Sequence, residues 1–516
     1  MFRLSKKCGP IYGRFAGTSL AFTLLLISFS GCDNDSDVTQ QTIEVEPDGR
    51  MNCLVIVLDS FHASKSSLYG FPKATTPHLE KWAAKGVVFE QATSQYTQTS
   101  GSAWSYLNGQ YPYQLNPFLP IQEDDVPLAQ LFQDAGYRTA GLSDNPYISE
   151  KFSHDRGYDD FQYHRFDEIR FHKTLNSMPS TSNEAGIGRD EISKFLFDQL
   201  QKWITIGGEQ PWFGYVHSLR PHTPYTTVEP YRSTFLDDAG PWSKATSRQD
   251  FLDFENALVD AYVKDRTMAT EAELAILHQL YLANILYIDE LLGSLLTEME
   301  SNGQLDNTLV IITSDHGEAF GEHGEMMHAG NPHREQIHVP LIMIMPPSMK
   351  YEPGRIGARV ELVDLLPTLT EIFDLNDSVQ RHGQSLTGLL SREAEVLDGV
   401  DFAQSKKAVA VVSDGMKLLM NMSELESENA PSARLYDLKR DPEETTNLYP
   451  NHESLEELLG MLRTYVTALK NQGSIVEPEL TEDEIDTLEA LGYLDEAEQL
   501  RRKKKKNSAD AVSEPE

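Results

Sequence analysis

The chain is poor in cysteine, with three in 516 residues, at positions 8, 32 and 53. Cys8 and Cys32 lie in an N-terminal segment of export-signal type, so Cys53 remains alone and no disulfide framework can form. A single thiol inside the apolar run "CLVIVLD" reads as a small buried hydrophobe, not as a nucleophile. Positive charge is also scarce: 44 Lys and Arg stand against 79 Asp and Glu, a formal net charge of −35. Such a surface repels phosphodiester backbones, which excludes a general nucleic-acid binder. There is no internal repeat, and nothing beyond residue 50 reads as a transmembrane helix. What is present is ordinary for a folded protein, with 40% apolar and 24% charged residues. The length suits one large domain plus a smaller one.

Residues 1–31 have the layout of a signal peptide. Arg3, Lys6, Lys7 and Arg14 precede the apolar run from Phe15 to Phe29, and Ser30-Gly31-Cys32 forms a small-residue exit. The exit resembles a bacterial lipobox, which implies a lipid-modified Cys32 and an exported, membrane-anchored lipoprotein of the cell envelope facing the periplasm; a plain signal peptide or weak anchor helix is the alternative. Membrane contact is expected through that anchor only. Residues 32–50 are a polar, acidic tether.

Beyond the tether, apolar runs alternate with helical patterns. "CLVIVLD", "PWFGYVHS", "NTLVIITSDHGE" and "VPLIMIMP" read as strands buried on both faces. "TPHLEKWAAKGVVFEQA" and "PLAQLFQDAGYRTAGLS" each read as helix, glycine stop, strand. Residues 274–299 carry one apolar helical stripe. This grammar predicts an α/β/α sandwich around a mostly parallel sheet. Two long polar segments, 160–195 and 226–270, are substrate lids or surface elaborations. The expected organisation is a catalytic domain over 51–375, a smaller C-terminal subdomain over 376–475, and an acidic helix with a basic and polar tail over 476–516. The basic run "RRKKKK" reads as a solvated tail, with anionic lipid headgroups as the alternative partner.

In such sheets the site lies beyond the carboxyl ends of the strands. Asp59 ends one strand and Asp315-His316 ends another, so carboxylates and imidazole can converge on a divalent metal. His316, His323 and His328 fall within thirteen residues. His217 ends a strand, and His222 sits in the loop "RPHTP", suited to protonating a leaving group. The loop "QYTQTSGSAWSYLNG" is dense in hydroxyls, among them Thr99, Ser102 and Ser105.

Together these segments resemble the sulfatase family of the alkaline phosphatase superfamily. The resemblance runs in order through "NCLVIVLDSFHASKSSLYGFPKATTPHLEKWAAKGVVFEQA", "TLVIITSDHGEAFGEHG", "VPLIMIMP", "ELVDLLPTLTEIF", "KLL" and "LYDLKRDPEETTNL", about residues 52 to 450. It implies an alkaline phosphatase-like sandwich with a smaller C-terminal subdomain. It also implies a metal set of Asp59, Thr99, Asp315 and His316, and catalytic roles for Thr99, His222 and His328. His217, His323, Lys417 and Ser102 are implied substrate-binding positions. One divalent metal is expected: calcium, zinc, manganese or magnesium.

The nucleophile loop departs from the family pattern Cys/Ser-x-Pro-x-Arg. Counting back from Gly109 puts Thr99 at the nucleophile position, with Gly101 for the Pro and Ala103 for the Arg. Relatives convert Cys or Ser here to formylglycine, which Thr cannot become. The free Thr99 hydroxyl is therefore the expected nucleophile, with a helix cap as the plain structural alternative. Position 60 is Ser where the family pairs a second Asp with Asp59. His62, Arg220 or Arg170 could supply the charge lost at Ala103. The resulting expectation is a metal-dependent hydrolase of phosphate or sulfate esters, or a phosphotransferase, acting on an anionic ester of a glycan, lipid or small molecule. The alternatives are a sulfuric ester hydrolase working without formylglycine and a catalytically silent relative that binds an anionic glycan or lipid headgroup.

Overall fold

The computed structural model describes residues 50–505 apart from 113–118, 165–188, 208–209, 226, 237–247, 398, 428–429, 471–477, 491–496 and 498. The signal peptide, Cys32, most of the tether, Arg170 and the polar end of the tail lie outside the described residues.

Among the described residues, ten strands precede the C-terminal region: β1 (Asn52–Leu58), β2 (Val87–Thr93), β3 (Arg138–Ser143), β4 (Asp160–Tyr163), β5 (Trp212–Ser218), β6 (Thr308–Thr313), β7 (Ala319–Phe320), β8 (Met326–Met327), β9 (His338–Ile344) and β10 (Gly354–Glu361). Eight of them form one sheet in the order β10-β2-β9-β6-β1-β5-β3-β4. Only β9 runs against its neighbours; every other pairing in the sheet is parallel. β7 and β8 pair as a small antiparallel ribbon.

Strand β1 shows why the apolar runs are continuous. Leu54, Ile56 and Leu58 pack into one core and Cys53, Val55 and Val57 into another, on opposite faces of the sheet. The first core is closed by the helix Glu271–Ser301, which begins with a reciprocal cap between Thr270 and Glu273. By length and composition that helix could cross a membrane, but most of its apolar window is buried against the sheet. The second core is closed by Leu128–Asp134, Leu365–Ile372 and part of Thr99–Asn108. The result is the α/β/α sandwich expected, with Cys53 buried inside it.

A second sheet follows, antiparallel, in the order β11 (Asp401–Gln404), β12 (Ala408–Ser413), β13 (Met416–Asn421), β14 (Arg434–Asp437). The helix Leu455–Lys470 covers its apolar face. This small sheet is stitched to the loop before Thr99: Gln404 N–H donates to Gln95 O at 3.0 Å, and Thr97 N–H to Gln404 O at 3.2 Å. The acidic helix Glu482–Ala490 packs by Ile485 and Leu488 on Tyr147, Phe152 and Leu219. The start of the basic run folds back on it, with Arg501 pairing with Asp486 and Glu489.

Candidate active site

Four adjacent strands, β6, β1, β5 and β3, end at one place on the sheet edge. β1 delivers Asp59, whose N–H donates to Ser218 O at 2.9 Å. Ser60 then turns with a φ of 61°. The Tyr281 hydroxyl on the long helix fixes this turn, donating to Ser60 O at 2.6 Å and accepting from His62 N–H at 2.9 Å. β6 delivers Asp315 and His316. Asp315 Oδ1 accepts from Ser60 N–H at 3.1 Å, tying the two strand ends together. At Gly317 a Cβ would lie 2.2 Å from Glu335 O, so the chain leaves His316 only because that position is glycine.

Asp59, Asp315 and His316 form a buried group whose ligand atoms lie within 4.8 Å of one another. His316 Nδ1–H donates to Gly317 O at 3.0 Å, which leaves Nε2 with its lone pair directed at the carboxylates. Nε2 lies 3.6 Å from Asp59 Oδ1 and 3.5 Å from Asp315 Oδ2. Asp315 Oδ2 is buried and accepts no hydrogen bond among the described residues. A buried carboxylate oxygen without a donor is costly, and a cation between these oxygens and His316 Nε2 removes that cost. The residues present therefore fit a divalent metal.

Thr99 is the first residue of the helix Thr99–Asn108, and Gln98 is its cap residue. The Thr99 hydroxyl faces the centre, with Oγ1 at 3.3 Å from His316 Nε2 and 3.3 Å from Asn145 Nδ2. Gly109, used to count back to Thr99, ends the helix in the left-handed conformation at φ 59°. Asn145 was missed in the sequence. It follows β3 in "GLSDN", and its Nδ2 also donates to Asp59 Oδ2 at 2.5 Å. The signal was there: an Asp-Asn pair directly beyond a strand, as at Asp59 and Asp315.

Three more histidines surround the group, all buried. His217 Nε2 is 3.5 Å from Asp59 Oδ2 and 3.8 Å from Asp315 Oδ2, while Nδ1 meets the Tyr215 hydroxyl at 3.0 Å. Burial disfavours its charged form, but the hydrogen bond to Asp59 and the field of Asp315 prevail and raise its pKa. His328 lies with its ring 4.6 Å from that of His316 and 4.7 Å from that of His222. Burial pushes its pKa down, yet Glu318, 3.1 Å from Nδ1, lifts it above the ordinary value. His222 is the opposite case. Its Nδ1–H donates to Thr223 O at 2.6 Å, and burial holds its pKa down at about 3.

The remaining expected positions are placed differently. Ser102 donates to Asp315 O at 2.5 Å and bonds Ser94, pinning the helix to β6 where a substrate contact was expected. Lys417 and the partly exposed His323 join a second network around the buried Glu444. Lys417 Nζ is 2.6 Å from Glu444 Oε1, His333 Nδ1 is 2.9 Å from Glu444 Oε2, and His323 bridges Glu335 and Glu444 O. This network ties β13 and the "DPEE" turn to the catalytic sheet, so its charges are consumed by each other and not presented to an anion. The charge suggested for the Ala103 position is not evident either. Ala103 lies in the core, the Arg220 guanidinium donates to Asn284 over the Tyr287 ring, and burial pushes the pKa of His62 well down.

The Sulfatase family model matches residues 51–375. The chain belongs to the sulfatase family. Its members are ester hydrolases of the alkaline phosphatase superfamily, and this sulfatase chain aligns over most of its length with several of them. A sulfatase of Formosa agariphila is 24% identical, covering 83% of this chain and 87% of that protein. An N-acetylglucosamine-6-O-sulfatase of Bacteroides thetaiotaomicron is 22% identical, covering 84% and 88%. Among solved structures, the phosphonate monoester hydrolase of Agrobacterium radiobacter shares the fold with a TM-score of 0.61 at 21% identity, over 81% of this chain and 95% of that one.

Proposed function

We propose that this sulfatase is a metal-dependent hydrolase of sulfate or phosphate esters that uses the unmodified Thr99 hydroxyl as nucleophile. The observation that carries the reading is the position of Thr99 Oγ1, 3.3 Å from His316 Nε2 and facing the buried Asp59–Asp315–His316 group. Family relatives named as sulfatases and as phosphonate monoester hydrolases support either ester class.

Asp59, Asp315 and His316 would hold a divalent cation, which would supply positive charge to ease ionisation of Thr99 and loading of negative charge on the ester oxygens. Thr99 Oγ1 attacks the sulfur or phosphorus, and the bond to the leaving oxygen breaks. The Thr99 proton passes by way of His222 Nε2 to that oxygen. His328, its pKa raised by Glu318, faces the anionic oxygens, and Asn145 holds Thr99 against Asp59. Water then cleaves the Thr ester, restoring the hydroxyl and releasing sulfate or phosphate; an acceptor alcohol in place of water gives transfer. The N-terminus of the helix Thr99–Asn108, with its positive dipole end, adds to anion binding. The exported, lipid-anchored setting belongs to the same proposal and rests on residues 1–32 of the sequence.

The test is turnover of aryl sulfate, aryl phosphate and a phosphodiester by the metal-loaded protein beside Thr99→Ala, with bound metal measured in both. Thr99→Ala is expected to keep its metal and lose on the order of 10³-fold or more in kcat. Unchanged turnover would refute the nucleophile. The lack of the family arginine at Ala103 favours a second reading, a silent binding protein, and absence of both metal and turnover would support it.

A further inference from the structure

Beside Thr99 lies a cleft of about 450 Å³ whose wall includes Gln98, Arg266, His328, Asn331, Lys406 and Lys407. Gln98 precedes Thr99, is 1% exposed, and its Nε2 has no hydrogen-bond partner among the described residues. Gln98 thus joins the cleft wall to the start of the helix Thr99–Asn108.

Lys406 and Lys407 sit on the turn between β11 and β12. Ser405 builds that turn: its hydroxyl accepts from Lys407 N–H at 3.3 Å and Ala408 N–H at 3.1 Å. Lys407 O accepts from Met422 N–H at 2.9 Å, and Gln404 is stitched to Gln95 and Thr97 as described above. The turn is thus fixed against the nucleophile loop. Neither ammonium forms an ion pair among the described residues, although the chain carries 79 acidic side chains against 44 basic ones. The one carboxylate in the wall, Glu325, is taken up by Asn331 N–H, Asn331 Nδ2 and Gln336 Nε2. Two lysines without an ion pair among the described residues, on a turn held against the loop before Thr99, give the cleft a positive face suited to an anion.

We propose that this cleft binds a second anionic group of the same substrate molecule, so that the enzyme selects esters carrying a further sulfate, phosphate or carboxylate near the one it cleaves. The proposal rests on Thr99 marking the reacting centre. Lys406 and Lys407 would grip the distal anion.

The test uses two inert probes, benzenesulfonate and 1,3-benzenedisulfonate, titrated calorimetrically into the metal-loaded protein at fixed ionic strength. The disulfonate is expected to bind at least tenfold tighter. The double variant Lys406→Gln/Lys407→Gln should erase that advantage and leave benzenesulfonate unchanged, while Lys406→Arg/Lys407→Arg should restore it. Inorganic sulfate or phosphate should displace both probes. Equal affinity for the two probes, both still displaced by inorganic anion, would overturn the second subsite and leave the Thr99 centre standing. Probes that no inorganic anion displaces would overturn the Thr99 centre and this proposal with it.

Discussion

Lys417→Met separates two roles for a residue that its motif aligns with the substrate and its geometry assigns to the scaffold. The Lys417 ammonium and the Glu444 carboxylate meet at 2.6 Å with 2% and 3% of their side chains exposed. Burial pushes the Glu444 carboxyl up, but Lys417 and His333 outweigh it and hold its pKa at about 2 against an ordinary 4.5. That difference corresponds to about 3 kcal/mol of preference for the ionised carboxylate in the fold. Removing Lys417 leaves a buried anion held by His333 alone among the side chains, a loss in the range of about 3–5 kcal/mol seen when one partner of a buried pair is deleted. With an unfolding entropy on the order of 1 kcal/mol per kelvin for a cooperative unit of this size, the Tm should fall by about 3–5 °C. Because the folded pKa is depressed, the Glu444 contribution is complete above about 4.5 and fades as pH falls toward 2. The gap between wild type and variant should therefore be constant from pH 6 to 8 and narrow below 4.5. Thermal melts across that range, with kcat and KM on an aryl ester at pH 7, provide the assay. An unchanged Tm with a tenfold rise in KM would refute the reasoning and return Lys417 to the substrate.

Other perturbations read the centre directly. Asn145→Ala removes the donor shared by Asp59 and Thr99, and kcat should drop by roughly 10–10³-fold with little change in Tm; wild-type kcat would dismiss Asn145. Tyr281→Phe leaves Ser60 O and His62 N–H unmet in a buried turn, costing about 1–3 kcal/mol in a denaturant titration. Chelation should lower the Tm, and zinc or manganese at about 100 times its Kd should raise stability by about 2.7 kcal/mol; a Tm insensitive to every divalent cation would contradict the metal site. His323 has a pKa raised to about 9, chiefly by its hydrogen bond to Glu335. Its contribution is complete below about 6.5 and lost as pH rises through 9, so His323→Gln should converge with wild type in Tm above pH 9. Its partial exposure keeps the effect on the order of 1 kcal/mol or less.

The sandwich was legible because a two-faced strand must be apolar throughout, and β1 and β6 are. Asp59, Asp315 and His316 were legible because parallel sheets put their chemistry just past such runs. Asn145 obeys the same rule and was passed over, since an uncharged side chain after "GLS" looks like an ordinary turn. Histidine density misled in one respect. It groups His316, His323 and His328 by chain distance, but the ribbon of β7 and β8 between them turns His328 to the centre and His323 toward Glu335 and Glu444. No local pattern carries that division, because Glu444 arrives from more than a hundred residues downstream. The same long-range closure brings the small sheet to the loop before Thr99. Gln404 bonds that loop, so Lys406 and Lys407, which a linear reading assigns to a separate subdomain, line one cleft with Gln98 and His328. On the proposed reading, what the enzyme discriminates is set at the junction of the two sheets, while what it cleaves is set by the strand ends of the first.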